Sequence, residues 1–344
     1  MKNKPKIFYL DFIRALSMII IVTYHFYAHF AENNIAGFRV IFSDGKWGLI
    51  GVAMFFMISG AALMFNYQEG IEIKTYAKKR FRGIYPMFWI AYISLYLILF
   101  YEAKGNITNL SPFRLIFSVF AMDGYLGCFT PTIYLIGEWF LGCIILIYAI
   151  FPILRWLVNK YPKITIIAAS MLNLVILLFH RNGIMLINQN LFVSLYSFLL
   201  GMYIIRINRF RVWHAAFGGF VAIVFYVLPA SNFNLQTLYA NVAAYGLFVL
   251  LAFLGQRVNN EMVQKIFTIV SKYSYAVFLV HHYLIMRTLR TFSDRDMGIV
   301  GTALLYFCVW GQIIIAAKIL QAVTDSVVKF SKKTSSMQTG NENA

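Results

Sequence analysis

The chain has 344 residues, of which 60% are hydrophobic, 18% aromatic and only 12% charged. Soluble domains carry roughly 25% charged residues, so this composition excludes a water-solvated globular enzyme and makes the bilayer the solvent. The net charge of +17 comes from basic residues set between apolar runs rather than gathered in one stripe, which argues against nucleic acid as a partner.

Taken in chain order, the residues MKNKPK lead into an apolar run that continues to about residue 30. It outlasts the apolar stretch of about 7–15 residues found in a signal peptide, and it contains Asp11 and Arg14. A retained membrane span is therefore expected. A window of about 20 residues then finds further apolar segments near 47–67, 84–101, 133–154, 164–180, 190–205, 213–229, 236–255, 266–286 and 299–320. The stretch 113–128 is weaker, because Arg114, Asp123 and two glycines interrupt it, and an interfacial or re-entrant piece is expected there. Lysine and arginine concentrate in alternate connections, at 74–82, 155–163, 206–211 and the two ends, so the positive-inside rule places both termini in the cytoplasm. The expected fold is an all-α polytopic integral membrane helical bundle of about ten transmembrane helices. One domain is expected over 1–330, with a short polar disordered cytoplasmic tail over 331–344. Cys128, Cys143 and Cys308 are scattered and form neither a disulfide framework nor a CxxC metal pair, so no metal is expected.

The first span carries the chemistry-bearing residues. Arg14 and His25 are 11 residues apart, which is about 20° beyond three full helical turns, so they share one face and stand about 16 Å apart along the axis. Asp11, three residues before Arg14, is placed to pair with it. Ionisable groups inside a span are costly and face a cavity, a partner or a pathway rather than lipid. A structural polar contact between helices is the plainer alternative.

The segment "LDFIRALSMIIIVTYH" (10–25) resembles the first-span signature of the bacterial acyltransferase family three, polytopic membrane enzymes that modify surface sugars. Four further stretches agree in order: "FFMISGAAL" (55–63), "KKRFRGIYP" (78–86), "EWFLGCIILIYAIFP" (138–152) and "YSYAVFLVHHYLI" (273–285). Gly83 stands where that family places an arginine before IYP, which leaves Lys79, Arg80 and Arg82 as alternative carriers of the basic loop's role. The resemblance implies transfer of an acyl group, usually acetyl, from cytoplasmic acyl-coenzyme A to a sugar hydroxyl at the outer side of a bacterial plasma (inner) membrane. The acceptor would be a cell-surface or exopolysaccharide sugar or its lipid-linked precursor, and polysaccharide biosynthesis proteins would be partners.

In that reading acetyl-coenzyme A is the donor substrate, and Arg14 with Lys79, Arg80 and Arg82 meets its phosphates. His25 carries the chemistry, either as a general base or through an acyl-histidine. His281 matches the family's late histidine, and its neighbour His282 lies about 100° round the helix. Glu138, at the head of a span, is a supporting carboxylate. Ser59 beside Gly60 reads more readily as a close helix contact than as a nucleophile, because no G-x-S-x-G accompanies it. Arg287, Arg290 and Arg295 belong to a charged outer loop, although Arg287 in a pocket would fit succinyl rather than acetyl transfer. A polysaccharide or lipid exporter and a non-enzymatic subunit of a synthase complex are the alternatives from other classes.

Overall fold

The computed structural model describes residues 7–37, 45–181, 183–207 and 209–341. Every apolar segment found in the sequence is a helix. In order these are α1 (Phe8–Glu32), α2 (Lys46–Tyr67), α3 (Ile73–Glu102), the short α4 (Leu115–Val119) and α5 (Asp123–Leu126), α6 (Glu138–Lys160), α7 (Pro162–Phe179), α8 (Leu191–Ile204), α9 (Val212–Val227), α10 (Phe233–Gly255), α11 (Glu261–Arg290) and α12 (Gly298–Asn341). Among the described residues the only β-type pairing is an isolated bridge between Ala36 and Asp296. The architecture is an all-α polytopic membrane bundle. Among the described residues seven helices are long and apolar enough to cross a bilayer, while α8 and α9 are apolar but shorter.

Local chemistry fixes where several helices begin. The side chains of Asn190, Asn232 and Asn260 accept from Phe192, Leu235 and Val263 backbone N–H groups at 3.0, 2.9 and 3.1 Å, starting α8, α10 and α11. Gly137, with φ of 95°, makes the left-handed step from which α6 starts. The stretch 78–86, expected as a basic loop running into a span, is instead helical, because α3 begins at Ile73 and runs through Pro86. Lysine and arginine are good helix formers, so this stretch extends the span instead of interrupting it.

The first helix packs against α2, α10 and α11, α2 against α8 and α10, α9 against α10, and α11 against α12. Two of these crossings bring backbones together through glycine. A Cβ on Gly60 of α2 would lie 2.0 Å from the Phe198 carbonyl oxygen, and one on Gly201 of α8 would lie 1.9 Å from that of Met57. The Gly60 contact assigns "FFMISGAAL" a packing role, as small residues allow in membrane bundles. Buried Lys46 donates to the carbonyls of Tyr226 and Leu228 and so caps the C-terminal end of α9.

The interrupted stretch 113–128 forms α4 and α5, packed beside α3 and α6. Trp89 Nε1 donates to the Val119 carbonyl at 2.9 Å, and Ser118 Oγ donates to Asp123 Oδ1 at 3.0 Å. Asp123 is buried, and burial pushes its carboxyl up to about 7 against the opposing pull of the Ser118 hydroxyl.

Candidate functional site

A cavity of about 460 Å³ runs through the bundle, walled by α1, α2, α3, α6, α10 and α11. Arg14, Ile21 and His25 of α1 all line it, as expected for positions seven and four residues apart on one helix face. The cavity therefore has two chemically distinct ends.

Arg14 and Arg80 supply the charge at one end. Arg14 Nη1 donates to Asp11 Oδ1 at 3.0 Å and to Ser271 Oγ at 3.1 Å, and Ser271 Oγ donates to the same Asp11 oxygen at 2.7 Å. This closed triangle holds the guanidinium in place and leaves its remaining N–H groups for a ligand. Arg80 sits 5.6 Å from the Tyr148 ring centroid, and its Nε is buried without a hydrogen-bond partner. Lys79 and Arg82, the other two carriers left open by the sequence, are exposed and do not line the cavity. The structure thus brings one of the three to Arg14.

His25 and His281 stand at the other end, with ring centroids 5.1 Å apart. His281 is buried, and its Nδ1 lies 2.8 Å from the Phe278 carbonyl and 3.2 Å from that of Val277. Carbonyls only accept, so Nδ1 carries the proton and Nε2 is left as a lone pair, buried with no hydrogen-bond partner. Tyr24, Trp139, Asn188 and Gln236 complete this end.

Two parallel rulers set the distance between the ends. Arg14 meets Ser271 and His25 meets His282, whose ring centroid is 5.0 Å away, and both helices advance 11 positions between those contacts. His282 thus approaches His25 as closely as His281 does, contrary to a reading that turns it away. The reason is that His25 faces the seam between the two positions on α11. His29 and Glu32, one and two turns beyond His25, adjoin the same seam.

Of the remaining residues, Ser59 lines the cavity beside Phe55. Glu138 is the first residue of α6, and its side chain lies outside the described residues. Arg287 is exposed, ion-paired with Glu102 and hydrogen-bonded to Tyr283 Oη at 2.8 Å, and it does not line the cavity. Arg80 is the residue that a helical reading of α3 would have selected, since Tyr76, Arg80 and Ile84 recur every four positions on the stripe that continues through Phe88 and Tyr92.

Fold and cavity define a multi-span helical membrane protein with a charged and histidine-bearing internal site. The chain belongs to a family described as an acyltransferase domain, whose pattern matches residues 7–317. It is also similar to acyltransferase MdmB of Streptomyces mycarofaciens, at 28% identity over 119 residues. That match covers 33% of this chain and 30% of the relative, so it spans about a third of either protein. No solved structure matches the chain.

Proposed function

We propose that this acyltransferase moves an acetyl group from acetyl-coenzyme A to a hydroxyl of a cell-envelope saccharide or its lipid-linked precursor, across a bacterial plasma membrane. The carrying observation is the single cavity that joins Arg14 and Arg80 to His25 and His281. In this reading about ten helices span the bilayer, both termini are cytoplasmic, and the arginine end opens inward.

Guanidinium groups bind phosphate through paired N–H donors, so Arg14 and Arg80 hold the donor's phosphates. The pantetheine arm has a reach similar to the spacing of about 16 Å between Arg14 and His25, which brings the thioester to the histidines. His25 takes the proton of the acceptor hydroxyl as its oxygen attacks the thioester carbonyl. The carbon–sulfur bond breaks, and the proton passes to the departing coenzyme A thiolate. His281 Nε2 accepts a hydrogen bond from a substrate N–H or O–H and holds that group in place. The amides of Asn188 and Gln236 with the rings of Tyr24 and Trp139 suit a sugar, which offers hydroxyls to one and apolar ring faces to the other. Among the described residues the cavity's lysines and arginines are Arg14 and Arg80 alone, so the histidine end offers a succinyl carboxylate no lysine or arginine as an ion-pair partner, and acetyl is favoured.

Purified protein in liposomes, given radiolabelled acetyl- or succinyl-coenzyme A and saccharide acceptors, is expected to transfer acetyl in preference to succinyl. Absence of both transfer and saturable donor binding would refute the proposal. The donor end is tested separately by Arg14→Gln. Loss of charge-assisted hydrogen bonds worth about 1.5–3 kcal/mol should raise the donor KM roughly ten- to hundredfold, with a smaller change in kcat. A fall in kcat alone would place Arg14 outside donor binding.

A further inference from the structure

Four of the chain's six histidines gather where α1 meets α11, and the acyl-transfer reading uses two of them. The others have a geometry of their own. His29 lies one turn beyond His25 on α1, and its Nε2 is 3.0 Å from His282 Nε2. Ligand nitrogens of His25, His29 and His282 all fall within 4.8 Å of one another. His29 Nδ1 is 2.6 Å from Glu32 Oε2. A carboxylate only accepts at neutral pH, so this contact places the His29 proton on Nδ1 and turns the Nε2 lone pair toward His25 and His282.

We propose that His25, His29 and His282 form a binding site for a divalent transition metal, with zinc as the reference ion, and that occupancy of the site switches off acyl transfer. The inference rests on the proposed role of His25. Histidines four residues apart on one helix face, joined by a third from a neighbouring helix, form a familiar imidazole set for such ions. Two imidazole nitrogens at about 2.1 Å from a tetrahedral centre stand about 3.4 Å apart, so the His29–His282 spacing needs only a small opening. His282 becomes a ligand by moving its proton to the other ring nitrogen, with no change in net charge. Glu32 supplies the outer carboxylate that commonly fixes the tautomer and orientation of a metal-bound histidine. An imidazole has one lone pair, and when His25 gives it to a metal it cannot take the acceptor's proton. Metal and catalysis therefore compete for the same ring.

The test uses full-length protein without a histidine tag, and zinc ions alone as the probe. One zinc per chain is expected for the wild type by equilibrium dialysis with elemental analysis. His29→Ala and His282→Ala, measured separately, should each bind about tenfold or more weakly, and Glu32→Gln should show an intermediate loss. Unchanged melting temperatures of the variants will show that they remain folded. Zinc should inhibit wild-type transfer, a chelator should restore it, and His29→Ala should transfer acetyl with much lower zinc sensitivity. No stoichiometric uptake, or equal affinity in wild type and both alanine variants, would overturn the site. Stimulation of transfer by zinc would overturn the competition. A wild type that binds zinc but transfers no acyl group from any donor would instead refute the proposed function while leaving the metal site intact.

Discussion

Replacing His25 with alanine is expected to lower acyl transfer by about 10²- to 10⁴-fold, the usual contribution of a positioned general base. Donor binding should persist, because Arg14 and Arg80 are untouched and stand about three turns away along the cavity. The expected signature is therefore a collapse of kcat with donor affinity nearly unchanged. Folding should also survive, since the His25 ring borders the cavity and is not a member of the tightly packed apolar core around Phe26 and Phe30. His281→Ala should give a smaller loss, as its lone pair holds a substrate group without taking the reacting proton. If His281→Ala were the more damaging change, the roles of the two rings would be exchanged. The measurement is steady-state kinetics in liposomes at matched protein content.

The second large effect is on stability and concerns Gly201. Its neighbour across the α2–α8 crossing is a backbone carbonyl, which cannot rotate aside as a side chain can, so an added Cβ at 1.9 Å forces the helices apart. Overpacking of this kind costs about 1–3 kcal/mol and sometimes more. Because Leu49, Val52, Phe55 and Ser59 of α2 form one cavity wall, the displacement should reach the site as well. Gly201→Ala is expected to lower the melting temperature and the yield of folded protein, with activity falling alongside. Gly311→Ala is the matched control. Its Cβ would meet nothing within 4 Å, so the gain in helix propensity of about 0.5–1 kcal/mol should leave stability equal or slightly higher.

The apolar helices and the all-α fold were legible because a bilayer demands long apolar helices, and hydropathy reads that demand directly; of the ten expected spans, seven correspond to helices long and apolar enough to cross. So was the shared face of Arg14 and His25, which depends only on the pitch of one helix, as does the Asp11–Arg14 pair found at 3.0 Å. What depended on two helices at once was harder to read. A helical wheel sends His282 100° from His281, yet the seam of α1 against α11 puts His25 5.0–5.1 Å from both. The contact between His29 and His282 joins residues 253 positions apart, and no local pattern predicts it. The choice among Lys79, Arg80 and Arg82 turned on whether 78–86 is a loop or a helix. Only as a helix does the stretch acquire the phase that turns Arg80 inward and the other two out.

In the proposed mechanism one cavity carries an acyl group from the arginine end to the histidine end, and therefore from one face of the membrane to the other. The decisive experiment uses orientation-sorted proteoliposomes, with labelled acetyl-coenzyme A confined to the Arg14 side and a saccharide acceptor to the other. Label is predicted to appear on the acceptor in the opposite compartment, with no such transfer by His25→Ala. Transfer that occurs only when donor and acceptor share a compartment would rule out the transmembrane route.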